Sequence, residues 1–200
     1  MFSPGEVKAW EILEKIEPSI VCRNALAEYD EKENHYIIRS LNSDVFISPG
    51  KRNIKSYSTE GKNLIKRYGY FFVHSCLWYL INSKNIPLTE KLIRPSDIKD
   101  GASFFRGSHL LPLSRLAEKY GEHKDAFLND SKKFGATLQN FGDVSVRLFP
   151  MPRIPVTIIL WLKDEEFPAR ADLLFDSSCE FHLPVEILWS IAMFSILILL

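Results

Sequence analysis

The stretch Val144–Leu162, VSVRLFPMPRIPVTIILWL, decides the fold of this chain. Its first part, Val144–Phe149, alternates apolar and polar residues, which is the pattern of a strand with one face in the core. Its second part, Pro155–Leu162, is almost entirely apolar and rich in β-branched residues, which is typical of a central strand covered on both faces. After an acidic turn, Ala171–Phe175 reads as a third strand. We therefore predict an antiparallel sheet in the last third of the chain.

The segments before that sheet are mainly helical in pattern. Ser3 and Glu6 frame a capping box around Pro4, which predicts a helix at that point. From about Lys62 to Asn82, apolar residues recur at four-residue steps, which predicts a long central helix. The other predicted elements are a short helix from Pro18 to about Ala27, a hairpin of His35–Arg39 and Asp44–Ser48, an edge strand at about Glu90–Arg94, and helices at about Leu113–Tyr120 and His123–Phe134. Helices and a hairpin first, with a sheet later, predict one α+β domain over residues 1–200.

The last segment, Ile187–Leu200, reads ILWSIAMFSILILL and carries no charge. As a helix it would be about 21 Å long, short of the ~30 Å hydrocarbon core of a membrane. We therefore favour a buried helix that closes the sheet, and we expect no membrane partner. A contact with a second copy of the chain, giving a homo-oligomer through Ile187–Leu200, is the next interpretation, and a membrane tail is the third.

The overall charge restricts the class of partner. The chain has 25 basic and 25 acidic side chains, so its formal net charge is zero. Binding to nucleic acid without sequence preference depends on neutralising phosphates, so we expect no nucleic-acid partner. The basic run Lys51–Arg67 is interpreted as a solvated face. The motifs of phosphate loops, dinucleotide sites, zinc proteases and serine hydrolases are all missing from the sequence.

The three cysteines, Cys22, Cys76 and Cys179, are far apart and form no local pair. This spacing argues against a disulfide framework and against a zinc or iron–sulfur cluster built from neighbouring cysteines. We therefore predict no metal site, leave the cofactor open, and expect a reducing, cytoplasmic location. The N-terminus shows no basic region followed by an apolar stretch, so no signal peptide is expected.

The densest polar cluster is Phe175–Glu186, between the third strand and the apolar segment. Asp176 could orient His182, with Cys179 as a nucleophile beside them. A turn is the simpler interpretation, because Asp and Ser after a strand bond to their own backbone. We name Asp176 and His182 as candidate ligand-binding residues.

Two other segments supply candidates. Trp161 ends the most buried strand, and Glu165 and Glu166 follow it; paired carboxylates there could bind a cation or act as acid and base, although a solvated turn is commoner. Arg106 and His109 lie in an aromatic loop and could bind an anion.

Several pieces of the chain resemble an uncharacterised family of domains of unknown function from anaerobic bacteria and archaea, some members of which are labelled iron–sulfur proteins. The pieces are Ala27-x-Tyr-Asp30, Pro112-Leu-x-Arg-Leu-Ala-x-x-Tyr-Gly121, Phe141-Gly-Asp143, Pro152-Arg-Ile-Pro155, Leu160-Trp161, Asp164-Glu-Glu-Phe-Pro168, Leu174-Phe-Asp176 and His182-Leu-Pro184. The resemblance implies a link to corrinoid and iron–sulfur metabolism. Without a cysteine cluster, this chain departs from it and should hold no iron–sulfur centre of its own.

Three functions remain open. The first is a cytoplasmic accessory or ligand-binding protein of anaerobic, corrinoid- or metal-linked metabolism, with a small-molecule or protein partner. Its pocket would be formed by the Phe104–His109 loop and by the Trp161–Glu166 and Asp176–His182 turns. The second is an enzyme that uses Asp176, His182 and a glutamate of the acidic turn, which requires these side chains to converge. The third is an interaction module that uses the apolar C-terminal helix.

Overall fold

The computed structural model describes residues 3–200; Met1 and Phe2, where a leader pattern would begin, lie outside the described residues. The helices are α1 (Pro4–Leu13), α2 (Pro18–Ala25), α3 (Thr59–Asn82), α4 (Gly101–Phe104), α5 (Leu113–Tyr120), α6 (Lys124–Lys132), α7 (Cys179–His182) and α8 (Val185–Leu197). The strands are β1 (Glu28–Asp30), β2 (His35–Ser40), β3 (Ser43–Ser48), β4 (Asn53–Ser56), β5 (Leu92–Ile93), β6 (Thr137–Gln139), β7 (Val144–Met151), β8 (Ile154–Trp161) and β9 (Arg170–Asp176). The α+β prediction is confirmed.

The first sheet is antiparallel, with the strand order β1-β2-β3-β4. The predicted hairpin forms its centre. Leu41 and Asn42 join β2 to β3 with φ angles of 47° and 65°, and two successive positive φ angles are typical of the tightest hairpin turns. Strands β1 and β4 were not predicted, because three or four residues are too few to show a periodic pattern.

The second sheet is also antiparallel, with the order β5-β9-β8-β7-β6. Strand β8 is buried along its length, apart from the half-buried Trp161, as its apolar sequence predicts. The register pairs Trp161 with Arg170 and Val156 with Phe175. One end of this strand pair therefore carries Trp161 and Arg170, and the other end carries Asp176.

Helix α3 is the central helix that was predicted. Leu64, Phe72, Cys76 and Leu80, from the four-residue pattern, are all buried. Tyr68, the remaining member of that pattern, is partly buried and has φ −121° and ψ 19°, so the helix is kinked there, next to Gly69. The helix begins before the predicted start because the Ser58 hydroxyl caps it by accepting from the Gly61 N–H at 3.0 Å.

Helix α8 lies inside the chain's own core. No residue from Ile187 to Leu200 is exposed, and the helix packs along α3, where the rings of Phe72 and Phe194 meet edge to face at 5.5 Å. Most of the apolar surface of Ile187–Leu200 is thus packed within the chain. Among the described residues, none of the helices combines the length and apolar character needed to cross a membrane.

Arg153, in the turn between β7 and β8, ties that turn to the N-terminal helices. Its buried guanidinium donates to the Asn24 and Arg23 carbonyls at the end of α2, at 2.7 and 3.3 Å. It also donates to the Ile86 carbonyl at 2.9 Å and to Asn85 Oδ1 at 2.7 Å. A cation at the C-terminal end of a helix compensates the unpaired carbonyls there. This contact therefore fixes the second sheet against α2.

Candidate functional site

The predicted site residues do not form one site. Trp161 pairs with Arg170 at the start of β9, whereas Asp176 ends the same strand six residues later. At about 3.3 Å per residue, these two positions are about 20 Å apart. A single pocket built from the Trp161 and Asp176 turns, as we expected from the sequence, is therefore wrong, and each group is described separately.

Asp176 is a buried anchor for the segment that leads into β5. Its Oδ1 accepts from the Thr89 N–H at 3.0 Å, the Thr89 hydroxyl at 2.9 Å and the Ser178 N–H at 2.9 Å. Its Oδ2 accepts from the Glu90 N–H at 2.7 Å. Burial tends to raise the pKa of this carboxyl, but the bonds from Ser178 and Thr89 outweigh it and hold the pKa below its ordinary value.

His182 is only 2% exposed. Its Nδ1 accepts from the Lys84 N–H at 3.2 Å, so the ring proton is on Nε2, which has no hydrogen-bond partner among the described residues. Burial, reinforced by the charges of Arg153 and Lys84, lowers the pKa of His182 to about 4. The ring is therefore a neutral packing element that is closed to solvent.

The geometry does not support the enzyme hypothesis. It required Asp176, His182 and a glutamate of the acidic turn to converge, but Glu165 and Glu166 follow Trp161 and lie at the opposite end of the sheet. Cys179 is not an activated nucleophile either, since burial and the nearby carboxylates raise the pKa of its thiol to about 12.

Arg106 and His109 lie in the aromatic loop that packs against α8. Arg106 is exposed, while the His109 ring stacks on Phe104 with 4.3 Å between the ring centres. The His109 carbonyl accepts from the Trp189 indole N–H at 2.9 Å. The contacts of His109 therefore attach the loop to α8, and none of them indicates a ligand.

Trp161 lies in an open cleft of about 520 Å³. Residues that line this cleft include Asp143, Trp161, Asp164, Phe167, Pro168 and Arg170. The Arg170 guanidinium lies 4.0 Å from the centre of the Trp161 ring, which is a cation–π contact. The Arg170 side chain is 63% exposed, and its Nε lies 3.9 Å from Asp172 Oδ2. Phe167 is 65% exposed, so its ring is accessible to a ligand at the cleft. We call this the Trp161 cleft.

Backbone hydrogen bonds hold the walls of the Trp161 cleft. Asp143 Oδ2 accepts from the Leu162 N–H at 2.8 Å, and Asp164 Oδ1 accepts from the Glu166 and Phe167 N–H groups at 2.8 and 2.6 Å. Gly142 has a φ angle of 57° and packs directly against β8, because a Cβ atom at this position would lie 2.7 Å from Ile159 Cγ2. The cleft is therefore preformed. Glu165 and Glu166 are exposed on the turn beside it.

The lining of the Trp161 cleft combines aromatic and charged side chains. It provides aromatic rings, one guanidinium and two carboxylates, and it includes no hydroxyl, thiol or imidazole side chain. Each of the two carboxylates has an oxygen that the backbone bonds leave available. Sequence reasoning identified Trp161 but missed Arg170, Asp143 and Phe167. Arg170 could have been predicted, because in an antiparallel pair the second strand begins beside the end of the first, which places Arg170 next to Trp161.

No group of three or more His, Cys, Asp or Glu side chains within residues 3–200 is arranged to hold a metal ion. Comparisons with curated proteins and with solved structures give no match. The sequence profile of one family, described as "Domain of unknown function (DUF3786)", matches residues 17–197, which is nearly the whole chain. The chain therefore belongs to the DUF3786 family of domains of unknown function.

Proposed function

We propose that this protein is a ligand-binding accessory protein whose site is the Trp161 cleft. The observation that carries the proposal is the exposed guanidinium of Arg170 stacked on Trp161 beside the exposed ring of Phe167. Small-molecule sites typically measure about 300–1,000 Å³, are lined by aromatic residues with a few polar groups, and are preformed. The Trp161 cleft has each of these properties.

The lining favours a planar ligand that carries hydrogen-bond donors, such as a nitrogen heterocycle. A planar group can stack on the outer face of the Arg170 guanidinium, because arginine stacks readily on flat π-systems. Carboxylate oxygens of Asp143 and Asp164 can then accept N–H donors from its edge. A ligand of this kind would use the aromatic and the acidic groups of the cleft together.

Thermal-shift and binding measurements on the full chain test this proposal. The ligand panel contains adenine, guanine and a pterin, with cyclohexanol as an apolar, non-planar control. We expect a saturable rise in Tm with at least one heterocycle and none with cyclohexanol. If no heterocycle raises Tm, the proposal fails.

A pair of variants locates the binding. Phe167→Ala should weaken binding several-fold because it removes an exposed ring from the cleft, where stacking on aromatic side chains is worth about 1 kcal/mol. Phe181→Ala is the matched control, since that ring is 59% exposed but lies on α7 at the other end of the sheet. Equal effects of the two substitutions would show that the ligand binds elsewhere.

We further propose that the protein works in the cytoplasm of anaerobes, in corrinoid- or metal-linked metabolism. The support is the resemblance noted in the sequence, together with three cysteines that are all free thiols. Protein purified under anaerobic conditions should respond to a corrinoid, haem or a divalent metal ion by a rise in Tm. No bound cofactor and no response to any of these would count against this part of the proposal.

A further inference from the structure

A second cleft, of about 440 Å³, lies between the N-terminal half of α3, helices α5 and α6, and the end of α8. Its floor is apolar. Leu64 and Leu199 are buried there, and Phe134 and Ile198 are half-buried. The apolar surface that Phe134 and Ile198 leave exposed gains free energy when the apolar part of a ligand covers it. We call this the α3–α8 cleft.

The rim of the α3–α8 cleft is charged, and its charges do not balance. Three cations, Arg67, Lys119 and Lys133, stand against two carboxylates, Glu60 and Asp130. The cleft therefore has one positive charge in excess.

Asp130 is already engaged by groups of the protein. It accepts from Lys133 Nζ at 2.7 Å and from the Tyr120 hydroxyl at 2.7 Å, and Lys119 Nζ lies 3.9 Å from it. The hydrogen bonds from Lys133 and Tyr120 hold the pKa of Asp130 below its ordinary value, so it stays charged. With Asp130 occupied in this way, Arg67 forms no ion pair among the described residues and faces the cleft.

The carbonyl end of α8 does not compete with an anion in this cleft. The Leu197 carbonyl accepts from the Tyr68 hydroxyl at 2.9 Å, and the Leu199 carbonyl accepts from Lys119 Nζ at 2.6 Å. The kink at Tyr68 lies in the α3 wall of this cleft. The helix end is thus capped by the protein with the help of Lys119, and Arg67 is the cation of the rim that remains available for an anion.

We infer that the α3–α8 cleft binds a small amphipathic monoanion, with a carboxylate head at the Arg67 side of the rim and a short apolar chain on the floor. One excess positive charge matches one negative charge on the ligand, and the apolar floor matches a chain of several methylene groups. This site is independent of the Trp161 cleft, and neither proposal requires the other.

Chemical-shift titration of the isotope-labelled full chain tests the inference with three probes. Octanoate has both parts of the ligand, acetate has only the charge, and octanamide has only the apolar chain. We expect saturable shifts with octanoate at residues of α3, α6 and the end of α8, and affinities for the other two probes about ten-fold weaker or more. The octanoate concentration stays below that at which it forms micelles.

Substitutions of opposite sign sharpen the test. Arg67→Gln should weaken octanoate binding about three-fold, and Glu60→Gln should strengthen it by a similar factor, as expected for partly solvated charges. Arg115→Gln is the matched control, because Arg115 is an exposed arginine on α5 outside the residues that line the cleft. Circular dichroism confirms that each variant is folded.

Three outcomes would overturn the inference. They are octanamide binding as tightly as octanoate, equal octanoate affinity in the Arg67→Gln and Glu60→Gln variants, and shifts that fall on Phe167 and Arg170 instead of the α3–α8 cleft.

Discussion

His182 makes the stability of the protein sensitive to acid. Its pKa is about 4 in the folded chain and about 6.5 when exposed, so the unfolded chain binds a proton between these pH values and the folded chain does not. Stability is therefore complete above about pH 6.5 and is lost as the pH falls towards 4, by roughly 3 kcal/mol at most. Urea unfolding at pH 7, 5.5 and 4.5 measures this loss.

His182→Asn separates this residue from other acid-sensitive groups. The Asn Oδ1 can accept from the Lys84 N–H in place of Nδ1, but it does not titrate. The variant should lose less stability than the wild type between pH 7 and 4.5. Parallel pH profiles for the two proteins would show that His182 is not responsible.

Arg153 should be among the residues most important for stability. Arg153→Met keeps most of the apolar stem but removes all guanidinium donors, so the buried turn loses its bonds to the part-buried carbonyls of α2. We expect a loss of roughly 2–4 kcal/mol in the free energy of unfolding, because buried unpaired groups are costly. Arg115→Met, at an exposed position, should change stability by less than about 0.5 kcal/mol. A small effect of Arg153→Met would contradict the role given to this residue.

At the scale of elements, helix α3 contains two glycines, and replacing them by alanine should change the stability of the protein in opposite directions. A Cβ atom added at Gly69 meets nothing within 4 Å, so Gly69→Ala should stabilise the protein by about 0.5–1 kcal/mol through the helix propensity of alanine. A Cβ atom at Gly61 would lie 2.6 Å from Ser56 Cβ, so Gly61→Ala should destabilise it. Thermal unfolding of both variants checks the pair, and destabilisation by Gly69→Ala would show that the kink at Tyr68 needs glycine.

The elements that the sequence predicted well are the long ones. Enough residues for a recognisable spacing of apolar side chains are present in β7, β8, β9 and α3. The bounds of these elements were predicted to within about three residues. Strands β1, β4 and β6 have three or four residues, and only pairing with a neighbour defines them. The sequence likewise predicted only part of the Trp161 cleft. Trp161 ends a strong strand pattern, but Arg170 joins it only through the register of β8 and β9.

At the scale of the whole molecule, the chain is predicted to behave as a single domain. The buried core is one cluster that contains residues of both sheets, and the Leu41 N–H donates to the Phe149 carbonyl across them at 2.9 Å. We expect one cooperative unfolding transition, with the same midpoint by far-ultraviolet circular dichroism and by tryptophan fluorescence. Two different unfolding midpoints would show that the chain unfolds as two separate units.

Removal of helix α8 should prevent folding. A chain that ends at Pro184 loses six fully or nearly fully buried apolar side chains, namely Leu188, Ile191, Ala192, Phe194, Ile196 and Leu199. Single truncations at such sites cost about 2–5 kcal/mol each, so the loss exceeds the stability of a typical domain. Light scattering should show a monomer for the full chain and aggregates for the shortened one. A folded shortened chain, with a full chain that dimerises, would make Ile187–Leu200 an oligomer contact.

The position of α8 in the chain has a consequence for synthesis on the ribosome. Helix α3 and strand β7, which α8 covers, are translated earlier. Their apolar side chains therefore stay without this packing partner until α8 has been synthesised. Native packing of the nascent chain is therefore delayed until Ile187–Leu200 has left the exit tunnel. Until then, the exposed side of α3 is a surface that chaperones can bind and on which neighbouring nascent chains can aggregate.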